Sequence, residues 1–126
     1  MLIMRCGKIV CVGQNYREHI REMRSDEPTE PVLFLKPPTS LISDGEAILV
    51  PESIGMVHHE VELALIIGKG GKDVPEKDAL SHVSHVAVFN DVTARDVQTA
   101  ARKAGLPWAL AKGMDTFAPL GETVPL

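Results

Sequence analysis

The stretch VHHEVELALII, residues 57–67, decides the fold. Its side chains alternate with a period of two, which argues for a strand. Val61, Leu63, Leu65 and Ile67 fall on one face, and Glu60, Glu62, Ala64 and Ile66 on the other. Gly68, Gly70 and Gly71 then mark a turn. Beyond it, Pro75 suits the first position of a helix running to about residue 83, with Glu76 and Asp78 complementing its positive end. SHVAVFND, residues 84–91, reads as a second strand. TARDVQTAARKA, residues 93–104, reads as a helix with Thr93 as N-cap and Gly105 as its stop.

On the N-terminal side, KIVCVG (8–13) reads as a short buried strand and YREHIREMR (16–24) as a short helix. Tyr16, Ile20 and Met23 lie on one side of that helix, and Asn15, His19 and Glu22 on a neighbouring side. Residues 25–31 are polar, hold two prolines and form a loop. VLFLK (32–36) is another strand, stopped by Pro37-Pro38, and Ile48 to Val50 a strand fragment before Pro51. The tail, 106–126, reads as a loop with at most one short strand. Strands and helices mix without strict βαβ alternation, and no repeat or low-complexity tract appears, so the class is α+β.

The 126 residues suit one domain, and 44% hydrophobic content suffices for a core. A net charge of −4 gives no electrostatic footprint for nucleic acid or an anionic membrane. The opening Met1-Leu2-Ile3-Met4 run is too short for a signal-peptide core, and no stretch reads as a transmembrane span. A cytoplasmic protein is the expectation. Cys6 and Cys11 are an odd number of residues apart, so on one strand they point to opposite faces. Two scattered cysteines suit a reducing compartment.

Glu60 and Glu62 share a strand face, where close carboxylates repel unless solvated or separated by a cation. Asp91 closes the second strand, and if the two strands are neighbours the three carboxylates can converge. Three hard oxygen ligands suit Mg²⁺ or Mn²⁺, with Ca²⁺ a further hard cation. A solvated face of ordinary glutamates is the alternative. His58, His59 and Glu60 with His82 and His85 offer a rival Zn²⁺ set, weakened because adjacent strand residues point oppositely. His19 and Glu22, three apart on a helix, can touch, and a carboxylate beside an imidazole raises its basicity. An exposed ion pair is the alternative there. Arg95, Gln98 and Arg102 share a helix face, while nothing local distinguishes Lys36 and Lys112 from surface lysines. No phosphate-binding glycine loop or G-x-S-x-G elbow is present.

The blocks KIVCVGQNYREHIREM, EPVLFLKP, VHHEVELALIIGK, FNDVTARDVQ, GLPWALAKG and DTFAPLG, in that order from Lys8 to Gly121, resemble the fumarylacetoacetate hydrolase family. HIREMRS with KAGLPWALAK is similar to its acylpyruvate hydrolase and oxaloacetate decarboxylase branch, while DTFAPLG is typical of the broader family, including its isomerases. The resemblance implies a mixed β-sandwich or β-roll over residues 1–126, as a single partial catalytic domain. It implies Glu60, Glu62 and Asp91 as ligands of Mg²⁺ or Mn²⁺, and His19 with Glu22 as a catalytic pair on a short helical lid. It suggests that Lys112 faces substrate, with Arg95 and Gln98 as substrate contacts.

The activity so implied is a metal-dependent hydrolase or lyase that cleaves C–C bonds of small 2-keto acids through a metal-bound enolate. The alternatives are an isomerase or tautomerase on hydroxymuconate-like keto acids, or an inactive fragment that only binds metal. The family pattern continues past Leu126 with further strands and a Thr- and Gly-rich closing loop, so the expectation is an incomplete domain. The expected partners are a small keto-acid substrate and a second copy of the chain in a homodimer, with no nucleic acid or membrane.

Overall fold

A computed structural model describes residues 5–22 and 29–126. Strand β1 (Ile9–Gly13) pairs antiparallel with β2 (Val32–Lys36), setting Val10 against Leu35 and Val12 against Leu33. Between them lies the six-residue helix α1 (Arg17–Glu22). Its expected apolar contact Met23, and positions 25–28 of the expected loop, lie outside the described residues. A single tight turn, Pro38–Ser40, leads into β3 (Leu41–Ser43). No strand forms at 48–50: the amide of Leu49 donates to the Thr116 hydroxyl, so a side chain takes the bond a ladder would need.

The deciding stretch folds as two strands, β4 (Val57–His58) and β5 (Val61–Ile67). Its partner is likewise divided, into β6 (Val83–Asn90) and β7 (Thr93–Ala94). One antiparallel register carries through the gap: Val57 faces Ala94, His58 faces Thr93 and Val61 faces Asn90. In the gap the amide of Asp91 donates to the Glu60 carbonyl, at 2.8 Å. The amide of Glu60 donates instead to the side-chain oxygen of Asn90, at 3.1 Å. The ladder therefore opens where Glu60 and Asp91 stand opposite each other.

The expected helix near 75–83 is a tight three-residue-per-turn helix over Glu76–His82, and Pro75 stands just before it with extended backbone. Helix α2 (Arg95–Ala104) starts later than expected. Thr93 is not its N-cap: it is buried in β7, and its hydroxyl donates to the Asp91 carbonyl. Gly105 does end α2, at φ +67°, where a side chain would be strained. The tail holds more order than expected: helix α3 (Ala109–Lys112) and strands β8 (Ala118–Leu120) and β9 (Val124–Pro125). The main sheet runs β3-β8-β6-β5, with β9 also on β6, and β3 lies parallel to β8.

Among the described residues two small clusters make the core. Cys11, Phe89 and Ala118 pack with Ile9, Phe34, Leu41, Ala64 and Leu120. Val92, Ala94 and Phe117 pack with Ile54, Val57, Val97 and Met114. The inward face of β5 is the one carrying Glu62 and Ala64, paired with Phe89 and Ala87. The carboxylates therefore sit at the end of the core face. Val61, Leu63, Leu65 and Ile67 point outward, each at least half exposed.

Candidate functional site

Glu60 and Asp91 face each other across the open ladder, and Glu62 lies two residues along β5 on the same side. One ligand atom from each of Glu60, Glu62 and Asp91 lies within 4.8 Å of the others. Three cations balance these carboxylates. Lys112 at the end of α3 reaches Asp91 Oδ2 at 2.7 Å, Thr93 Oγ1 at 2.7 Å and Glu60 Oε2 at 3.2 Å. Arg95 at the start of α2 donates to Glu60 Oε1, Gln98 Oε1 and His58 Nδ1. Lys36 at the end of β2 lies 2.8 Å from Asp91 Oδ1.

The charges separate the two glutamates. Burial raises the Glu60 carboxyl, but Lys112 and the Arg95 hydrogen bond outweigh it and hold the group below the usual range. Glu62 is pushed up to about 7 by burial, then by Asp91 and Glu60, with Lys112 and Lys36 only partly opposing. Burial, with Asp91 and Glu62 nearby, also pushes the Cys11 thiol up to about 12, so it is an inert core thiol.

The chemistry of the donor set fits a divalent cation. All three groups supply hard carboxylate oxygen. Asp91 Oδ1 is buried, and its close partner is the Lys36 ammonium, whose N–H groups are engaged by the carbonyls of Val92, Lys112 and Phe117. A buried oxygen with an unused lone pair, beside a glutamate whose charge is disfavoured, is what a cation would relieve. The Zn²⁺ alternative is not assembled. His82 Nδ1 contacts the Lys69 carbonyl, His85 Nδ1 the Ser84 hydroxyl, and His85 pairs with Ile66 towards the far end of the ladder. Among the described residues neither joins a three-ligand group.

A cavity of about 280 Å³ opens in front of the carboxylates. Phe34 and Trp108 form part of its wall, ring centroids 5.5 Å apart. His19 and Glu22 line it from α1, as do Arg95, Gln98 and Arg102 from α2. His19 Nδ1 lies 3.9 Å from Glu22 and Nε2 3.9 Å from Glu60, so the expected pair is near but not hydrogen-bonded. Tyr16 ties the start of α1 to β5, its hydroxyl accepting from the Leu63 amide at 3.2 Å.

The eight residues to which the family resemblance gave roles, His19, Glu22, Glu60, Glu62, Asp91, Arg95, Gln98 and Lys112, thus line one cavity. Lys36 and Thr93 were missed in their site roles. The signal for Lys36 was its parity: it shares the inward side of β2 with Val32 and Phe34, where a surface lysine does not belong.

The site is thus an acidic triad with two lysines and an arginine at hand, beside a cavity that His19 also lines, in an α+β domain. The chain belongs to the family described as fumarylacetoacetate (FAA) hydrolase C-terminal, whose model matches residues 8–125. An uncharacterized protein of Pyrococcus horikoshii is 50% identical over 121 residues, covering 96% of this chain and 53% of that protein. The mitochondrial oxaloacetate tautomerase FAHD1 of Arabidopsis thaliana is 48% identical over 118 residues, covering 94% of this chain and 53% of its own. Among solved structures, fumarylpyruvate hydrolase from Pseudomonas aeruginosa, in complex with Mn²⁺ and pyruvate, superposes with a TM-score of 0.85 at 40% identity. That match covers 94% of this chain and 53% of that one. The chain spans about half the length of the relatives it matches. The mixed sheets with short helices are those of this fold family.

Proposed function

We propose that this chain carries the metal-binding and proton-transfer part of an enzyme acting on small 2-keto acids. The observation that carries the reading is the convergence of Glu60, Glu62 and Asp91, the last with a buried oxygen short of hydrogen-bond donors. A divalent cation held by these three would supply Lewis acidity, lowering the cost of enolate charge on the keto oxygen. The complex of the Pseudomonas aeruginosa relative with Mn²⁺ and pyruvate supports a pairing of metal and keto acid here. Mg²⁺ or Mn²⁺ is the ion proposed.

The chain's own groups then divide the work. Lys112, fixed by Asp91 and Thr93, presents an ammonium to developing negative charge. Arg95 braces Glu60 from the α2 side, itself held by the Gln98 side chain, and both border the substrate space. His19 is the group placed to take or return a proton, with Glu22 drawing close to orient it when the cavity fills. In hydrolysis of an acylpyruvate, His19 would take the proton of the attacking water while the C–C bond breaks and pyruvate enolate leaves. In tautomerisation of oxaloacetate, the same imidazole would take a proton from the carbon beside the keto group while the keto oxygen gains one, or the reverse, with no water attack. The tautomerase names of relatives near 48% identity favour this second reading alongside the first.

Mg²⁺-supplemented assays on an acylpyruvate and on oxaloacetate tautomers separate the two. His19→Ala is expected to reduce whichever rate is found by on the order of a hundredfold while metal binding survives. Full activity in that variant would remove His19 from the mechanism.

A further inference from the structure

Lys36 is 1% exposed, although it ends a five-residue strand and carries a charge. Its ammonium meets four oxygens: the carbonyls of Val92 at 2.9 Å, Phe117 at 2.8 Å and Lys112, and Asp91 Oδ1 at 2.8 Å. An ammonium has three N–H groups. Four oxygens share those three, with the carbonyls in the better hydrogen-bond geometry, so Asp91 Oδ1 is held mainly as an ion pair and keeps a lone pair to offer. The carbonyls come from three separate places in the fold. Val92 follows Asp91, Lys112 ends α3, and Phe117 precedes β8. The Phe117 carbonyl also accepts the Val92 amide at 3.2 Å, so both backbone groups of Val92 are fixed around Lys36.

We infer that Lys36 is a positioning residue for the metal centre: it locks Asp91 and Lys112 into one geometry and leaves Asp91 Oδ1 free for the cation. This rests on the proposed metal site. The arrangement solves a specific difficulty. A side-chain donor aimed at Oδ1 would satisfy the buried oxygen and compete with a metal ion for it. An ammonium occupied by carbonyls supplies the compensating charge without that competition. The same contact through the Lys112 carbonyl sets the end of α3, from which the Lys112 ammonium reaches Asp91 Oδ2. Two opposing effects attend its removal. Losing a positive charge favours a cation, while three buried carbonyls lose their donor and the Asp91–Val92 turn loses its anchor. The second effect dominates, because displaced ligands cannot be recovered by a weaker repulsion.

Calorimetric Mg²⁺ titration of the wild type, Lys36→Met and Leu120→Ala tests this. Leu120 packs in the core, so its truncation controls for lost stability. Lys36→Met is expected to raise the Mg²⁺ Kd at least tenfold, while folded Leu120→Ala keeps the wild-type value. An unchanged or lower Kd in folded Lys36→Met overturns the inference while leaving the metal site standing. Absence of Mg²⁺ and Mn²⁺ binding by the wild type overturns both. If Lys36→Met does not fold, ¹⁵N-lysine NMR of the wild type decides. The Lys36 ammonium should give a signal protected from solvent exchange that shifts with Mg²⁺ at the calorimetric Kd. A signal unmoved at saturating Mg²⁺ would overturn the inference.

Discussion

Glu62 states the electrostatic problem of the site in one side chain. Its carboxyl is pushed to about 7 by burial and by Asp91 and Glu60. Between the ordinary glutamate range and about pH 7, the unfolded chain has released this proton and the folded chain retains it. Stability without metal therefore falls as pH rises through that window and levels off above it. Glu62→Gln never ionises and removes that slope. Denaturant unfolding in EDTA at pH 5 and pH 8 should show the variant losing less stability over that interval, by on the order of 2 kcal/mol. Parallel pH dependences would show that the charge is relieved some other way. At this scale much was legible in the sequence. Period-two spacing puts Glu60 and Glu62 on one face, and the strand end at Asp91 brings the third carboxylate near. Lys36 was overlooked despite its parity, because a lysine beside Pro37-Pro38 looks like a strand terminus reaching into water. Thr93 was misread as a helix cap, because the hydroxyl that suits a cap also suits a buried bridge between Asp91 and Lys112.

The elements place those residues with few parts. The stretches 57–67 and 84–91 were expected as strands, but the opening in the middle of their ladder and its continuation through Thr93–Ala94, expected as helix, were not. A ladder gap leaves no compositional mark: the Glu60 amide simply takes the Asn90 side chain in place of a backbone oxygen. The tail was underestimated for a related reason, since its helix and strands are three or four residues or fewer and are held by partners distant in sequence. Helix α1 was found from its sequence, and its hold on the sheet is narrow. The Tyr16 hydroxyl accepts from the Leu63 amide of β5, and Ile20 is buried. Tyr16→Phe keeps the ring and loses that acceptor. Hydrogen exchange at the Leu63 amide should quicken severalfold, with the Leu65 and Val86 pairing little changed. Unaltered exchange at Leu63 would show that α1 is held by Ile20 alone.

Over the whole molecule, the inner side of the sheets holds the site and the outer side is apolar and bare. Val61, Leu63, Leu65, Ile67 and Val88 form one exposed row, and Val10, Val12, Leu33 and Leu35 another on the β1–β2 ribbon. Contiguous apolar area of this kind is rarely left in water. We propose that these 126 residues self-associate through it, and sedimentation velocity over a concentration series should show species larger than the 13.7 kDa monomer. A monomer at all concentrations would contradict this. No described helix is long and apolar enough to cross a membrane, so these rows are not part of a helical span. That Glu60, Glu62 and Asp91 together hold a divalent cation is tested most directly by thermal unfolding of the wild type and Glu62→Ala across a Mg²⁺ series. The wild-type Tm should climb with Mg²⁺ and the variant Tm should stay flat, since an ion bound only by the native state stabilises it. An equal climb in Glu62→Ala would contradict the site.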